Sequence, residues 1–96
     1  MMTSELKRKW LRALRGEVVD GRVFHKARGQ LMKRGRFCCL GVLEYLAWGH
    51  VRHPSDPHCC SSLLPLAQQG NLASLNDTNR GWKKAINYIK KCVRAR

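Results

Sequence analysis

The sequence predicts a mostly α-helical single domain, and an α+β arrangement stays open as the alternative. Two segments carry apolar residues at the spacing of an amphipathic helix. Between them, residues 37–48 form an apolar run whose only charged residue is Glu44. A helix that is apolar on nearly every side is buried at the centre of a domain, and this one would span only about 18 Å of the roughly 30 Å of a bilayer core. The predicted fold is therefore a buried central helix, two flanking amphipathic helices and a short arm that is irregular or a β-hairpin.

Residues 1–96 are predicted to form one basic domain, which begins with an amphipathic helix over residues 4–15. Ser4 is the candidate N-cap, and Gly16 supplies the end of the helix. Trp10 lies on the apolar stripe of this helix, where a core side chain is expected. We therefore predict that Trp10 packs in the core and does not stack on a nucleobase.

Residues 17–36 form a basic arm in which glycines separate short apolar pieces. This pattern predicts a small hairpin or an extended segment. Its cations are Arg22, Lys26, Arg28, Lys33, Arg34 and Arg36. A glycine-rich backbone with this much positive charge suits contact with phosphates, and it equally suits a solvated loop.

Residues 49–62, which follow the central helix, contain two prolines and many polar side chains, and they are predicted to form a loop. Two short helical pieces are expected next, residues 66–69 ending at Gly70, and residues 72–75. The polar residues that follow, Asn76, Asp77, Thr78 and Asn79, have the chemistry of helix caps, and one of the last three is predicted to cap the final helix.

The last helix, predicted over residues 80–93, gathers its apolar residues within about a third of the helical wheel. The opposite side carries Lys83, Lys84, Lys90, Lys91 and Arg94, with no acidic residue among them. Solvated helices normally mix charges of both signs to gain pairs between neighbouring turns. An all-basic side therefore predicts an anionic partner, although cations near a helix C-terminus also suit the helix dipole. If the anionic partner is duplex DNA, residues 72–75 and this helix could form a helix-turn-helix.

The net charge of +13 and the pI near 10.4 favour a polyanionic partner, and nucleic acid, either DNA or RNA, is the first to consider. An acidic surface on a host protein or nucleoprotein is the alternative. The N-terminal residues do not resemble a signal peptide, so we expect a cytoplasmic protein whose five cysteines stay reduced. No segment is long and apolar enough for a membrane span.

Cysteine and histidine residues around the predicted loop are the only candidates for metal binding. The possible zinc ligands, which the spacing does not favour, are His53, His58, Cys59 and Cys60, together with one cysteine of the central helix. No C-x₂-C pair is present, and adjacent cysteines on a helix point about 100° apart. We therefore predict core thiols and loop histidines, with no metal and no cofactor. A cysteine nucleophile is not favoured, because thiols in apolar surroundings are normally inert, and no catalytic residues are predicted.

Four segments resemble a family of small uncharacterised proteins encoded by bacteriophages and prophages. They are Arg-Ala-Leu-Arg-Gly at 12–16, Gly-Arg-Phe-Cys-Cys-Leu-Gly-Val-Leu at 35–43, Leu-Ala-Ser-Leu-Asn-Asp at 72–77 and Trp-x-x-Ala-Ile-x-x-Ile at 82–89. Family members have phenylalanine where Trp82 stands, and an acid is common at the position of Lys90. The resemblance implies a shared core, a surface that has become basic, and an accessory role in the cytoplasm of an infected bacterium.

The sequence therefore predicts a non-enzymatic phage accessory protein that binds nucleic acid or a host nucleoprotein through its basic surface. The alternative is a protein-binding inhibitor of a host enzyme or defence system, of the anti-CRISPR type. A small zinc-binding regulator is the second alternative.

Overall fold

The computed structural model describes residues 2–25, 32–33, 36–49, 63–78 and 81–95. Its helices are α1 (Ser4–Leu14), α2 (Cys39–Trp48), α3 (Leu66–Thr78) and α4 (Lys83–Cys92). Two short strands, β1 (Met32–Lys33) and β2 (Arg36–Phe37), pair antiparallel with Met32 opposite Phe37. The four helices form a small compact globule, which confirms the predicted mostly helical class. Within the described ranges, no helix is long and apolar enough to cross a membrane.

The helices pack in a ring around the core. α1 and α3 each contact both α2 and α4, so α2 and α4 lie at diagonal corners of the bundle. The core between them contains Trp10, Leu40, Leu43, Leu72 and Ile89, all of which are almost fully buried. This arrangement places one amphipathic helix, α4, with its apolar side inward and its other side facing away from α2.

Helix α2 is the most deeply buried element. Every residue from Cys39 to Glu44 is buried, as expected for a helix that is apolar on nearly all sides. The helix begins two residues after the predicted start at 37, and Cys38 is its N-cap. It ends at Gly49, whose φ of +79° is in the left-handed region that favours glycine at helix C-termini.

Helix α1 differs from the prediction at its first residue. The N-cap is Thr3 and not Ser4: the Thr3 backbone is extended, and its hydroxyl oxygen accepts a hydrogen bond from the Leu6 N–H at 3.1 Å. Ser4 is therefore the first helical residue. Trp10 is fully buried and its indole N–H donates to the Cys39 carbonyl at 2.7 Å, which confirms its predicted place in the core.

The prediction of two short helical pieces after residue 65 is wrong, because α3 continues through Gly70 as one helix. The buried residues Gln69, Leu72 and Asn76 follow one another at steps of three and four, so a single side of α3 packs against the core along its length. This packing outweighs the low helix propensity of glycine. Thr78 belongs to α3 and so does not cap α4.

Trp82 occupies the N-cap position of α4, without a side-chain hydrogen bond to the helix. The predicted caps Asp77 and Thr78 both lie within α3. Asn79, residues 50–62 of the predicted loop and the arm positions 26–31 and 34–35 lie outside the described residues.

Replacing Gly70 by alanine is expected to raise the free energy of unfolding by about 0.5–1 kcal/mol. Gly70 is exposed inside α3, its φ is not positive, and an added Cβ would meet no atom within 4 Å. Thermal unfolding of G70A checks the expectation. Gly49→Ala is the matched control: space is equally open there, yet the left-handed backbone should make that substitution destabilising. Equal shifts for the two variants would contradict the helix assignment at Gly70.

Candidate nucleic-acid interface

The α4 basic face comprises five side chains, and all of them are exposed. They are Lys83, Lys84, Lys90, Lys91 and Arg94, which follows the helix by two residues. Ala85 and Ile89 occupy the opposite side of α4 and are buried, as the amphipathic pattern predicts. The structure therefore leaves the predicted cations of this helix accessible to a partner.

Positive charges on α1 and α4 have different surroundings. On α1, the Lys9 ammonium lies 3.2 Å from the Asp20 carboxylate, and the Arg12 guanidinium lies 3.2 Å from that of Glu17. Within the part of the chain that the structure describes, the α4 basic face forms no ion pair. Charge on α1 is thus partly neutralised within the molecule, while that of α4 faces solvent.

The positions of the α4 lysines relative to the helix dipole also differ. Lys90 and Lys91 lie in the last turn, where a positive charge is favourable. Lys83 and Lys84 lie in the first turn, which holds no acidic residue and has no side-chain cap. A cation at a helix N-terminus is unfavourable by about 0.3–1 kcal/mol. Stability therefore accounts for the lysines at one end of α4 but not for those at the other.

Both neighbouring helices hold the C-terminal end of α4. The Lys7 ammonium of α1 donates to the Val93 carbonyl at 2.7 Å, and the Gln68 side-chain amide of α3 donates to the Cys92 carbonyl at 2.8 Å. Helix ends leave carbonyl groups without intrahelical partners, and these two bonds satisfy them. The roles of Lys7 and Gln68 had no local signal in the sequence, because each bonds a residue distant in the chain.

Asn76 fixes the other end of α4. Its side-chain carbonyl oxygen accepts two buried hydrogen bonds, one from the Cys39 backbone N–H at 3.1 Å and one from the Trp82 indole N–H at 2.8 Å. The side chain is fully buried. Asn76 thereby connects the start of α2 to the residue that precedes α4, and its chemistry is structural.

The structure describes only some of the cations that the sequence places in the basic arm. Arg22 is half-buried beside α2, with its guanidinium 4.9 Å from the ring centroid of Tyr45. Lys33 and Arg36 are placed in β1 and β2. The remaining predicted cations, Lys26, Arg28 and Arg34, lie outside the described residues. Arg22 thus lies against a side chain of α2, whereas the α4 basic face belongs to another helix.

Three of the five cysteines lie in the described ranges. Cys38 and Cys39 are buried, and Cys92 is exposed. Within those ranges, no group of three histidine, cysteine, aspartate or glutamate residues is arranged to hold a metal ion. The zinc candidates His53, His58, Cys59 and Cys60 lie outside them.

Comparison of the chain with protein-family models, with curated proteins and with solved structures finds no match. The function of the chain therefore has to be inferred from its own residues and their geometry.

Proposed function

We propose that the protein is a non-enzymatic binder of nucleic acid, or of a host nucleoprotein, and that the α4 basic face is its main contact surface. The observation that carries the proposal is the pair Lys83 and Lys84. Both are exposed, both oppose the dipole of their own helix, and neither has an acidic partner among the described residues. A feature that lowers the stability of the helix is expected where it serves an interaction.

The chemistry of this surface suits a phosphate backbone. Lysine ammonium groups are compact point charges on flexible stems, so they attract phosphates without reading bases. A duplex-specific form of the proposal has α4 entering a major groove behind α3, as a helix-turn-helix does. The resemblance to phage proteins suggests that the partner is met in the cytoplasm of an infected bacterium, where the protein acts as an accessory factor.

The direct test is a salt titration of binding to labelled single-stranded DNA, duplex DNA and RNA. We expect submicromolar affinity near physiological salt, with one of the three preferred. For a duplex, the logarithm of the binding constant should fall with the logarithm of salt concentration, by about 0.9 for each phosphate that a cation neutralises. A duplex-only preference would favour the helix-turn-helix form.

Weak binding without preference, lost near physiological salt, would contradict the proposal. The second candidate, a protein-binding inhibitor of a host enzyme or defence system, would then be favoured. An apolar groove supports this candidate: it has a volume of about 450 Å³ and lies beside the end of α4. Its lining residues are Leu63, Leu64, Pro65, Gln68, Cys92, Arg94 and Ala95. Such a groove next to Arg94 suits an apolar side chain from an acidic protein segment.

A further inference from the structure

Three aromatic rings form a cluster beside α2, made by Phe24, Phe37 and Tyr45. The ring centroids lie 5.1 to 5.6 Å apart, and each pair meets edge to face. Phe24 and Phe37 are buried, and Tyr45 is half-buried. Such arrangements stabilise a fixed packing of the rings.

Arg22 lies against all three rings of this aromatic cluster. Its guanidinium carbon is 5.8 Å from the centroid of Phe24, 5.1 Å from that of Phe37 and 4.9 Å from that of Tyr45. These distances are within the range of cation–π attraction. The guanidinium is thus held in place by the fold, unlike a lysine on the exposed side of α4.

The backbone of Arg22 is fixed as well. Val19 and Arg22 exchange two backbone hydrogen bonds, at 2.9 and 3.0 Å. The two residues between them, Asp20 and Gly21, have φ values of +51° and +78°, as expected for a tight turn whose central residues are both left-handed. Arg22 therefore leaves a rigid turn and enters the aromatic cluster.

The polar edge of the guanidinium has no partner within the described part of the chain. Arginine carries five N–H donors, and no side-chain hydrogen bond or ion pair from Arg22 is formed there. The acids nearest in sequence are engaged elsewhere: Asp20 pairs with Lys9, and Glu17 pairs with Arg12. A half-buried, positioned guanidinium with unused donors is suited to an oxyanion from outside the molecule.

We propose that Arg22 binds one phosphate group of the nucleic acid through paired N–H donors. This inference rests on the proposed function. Because the aromatic cluster already holds the side chain, little conformational entropy is lost when the phosphate binds. Arg22 then supplies geometric selectivity, whereas the α4 lysines supply attraction that depends on salt. The phosphate at Arg22 is a contact separate from those at α4, because Arg22 lies against Tyr45 of α2 and the lysines belong to a different helix.

The test compares Arg22→Lys with Arg15→Lys. R22K keeps the positive charge but removes the planar guanidinium with its paired N–H donors. Arg15 is the control position, because it is an exposed arginine that contacts no ring in the described structure. Binding is measured across a salt series with the preferred oligonucleotide and with its abasic counterpart, which offers the backbone alone. We expect R22K to weaken binding about tenfold on both probes with the salt slope unchanged, and R15K to change it less than about twofold.

The outcomes separate the two proposals. If the natural protein binds neither probe, the proposed function fails; if it binds and R22K binds equally well, only the role of Arg22 fails. A loss confined to the oligonucleotide with bases would assign Arg22 to a base edge and overturn phosphate binding. Because R22K could loosen the aromatic cluster, the Arg22 Nε–H signal of the ¹⁵N-labelled natural protein provides a second measurement. It should shift on adding the abasic oligonucleotide, and an unchanged signal would contradict the proposal.

Discussion

Replacing Asn76 by alanine is expected to lower the free energy of unfolding by about 2–6 kcal/mol. The substitution removes the oxygen that accepts from Cys39 and from Trp82, and leaves both N–H groups buried without that acceptor. Each unsatisfied buried donor is unfavourable by about 1–3 kcal/mol. Since a domain of this size is stable by only about 5–15 kcal/mol, N76A is expected to unfold near or below ordinary working temperatures.

Denaturant unfolding followed by circular dichroism measures this effect. The matched control is Asn87→Ala, in which the same side chain is removed from an exposed position on α4. N87A should change the free energy of unfolding by less than about 0.5 kcal/mol, since surface substitutions away from special features are usually near neutral. If N76A and N87A had the same stability, Asn76 would not connect α2 to α4 as described.

Reversing the charges at the two ends of α4 is expected to separate binding from stability. Lys83→Glu with Lys84→Glu, and Lys90→Glu with Lys91→Glu, lower the net charge equally, so both double variants relieve general repulsion to the same extent. Each should weaken binding to nucleic acid by at least about tenfold near physiological salt, and lower the salt slope by up to about 2. Two of the five cations of the α4 basic face are lost in either case.

The two variants should differ in stability by at least about 2 kcal/mol, with the K83E/K84E protein the more stable. Glutamate in the first turn complements the helix dipole, whereas glutamate in the last turn opposes it. Binding curves and thermal melts of the two proteins provide the comparison. Full affinity in the more stable variant would show that Lys83 and Lys84 do not contact the partner. A protein target would be indicated by a different pair of results. The natural protein would not bind naked nucleic acid tightly, and the charge-reversed variants would lose one particular protein complex.

The parts of the fold that follow from local pattern could be predicted. Helices α1 and α4 have a regular apolar stripe, and α2 is apolar on nearly all sides, so their positions are evident from residue spacing alone. Helix α3 was divided in the prediction because Gly70 is a poor helix former; its continuity depends on the packing of Gln69, Leu72 and Asn76, which the local sequence does not contain.

For the candidate site too, features set by local sequence could be predicted, and features set by contacts between distant segments could not. The exposed lysines of α4 could be predicted because an amphipathic helix must turn its charged side outward. The surroundings of Arg22 could not, since two of the three rings, those of Phe37 and Tyr45, reach it from later segments of the chain. The role of Asn76 could not be predicted either: its polar neighbours indicate helix capping, whereas its side-chain oxygen accepts hydrogen bonds from Cys39 and Trp82.

The bond between Lys7 and the Val93 carbonyl has a consequence for the order of folding. Its partners are 86 residues apart in the chain, so α1 and α4 meet only after nearly the whole sequence has been drawn together. Closing so long a loop carries an entropic penalty that local helix formation does not, and proteins rich in distant contacts fold more slowly. The docking of α4 against α1 is therefore expected late in folding, so that the surface carrying Lys83 and Lys84 is assembled only when the rest of the bundle is in place.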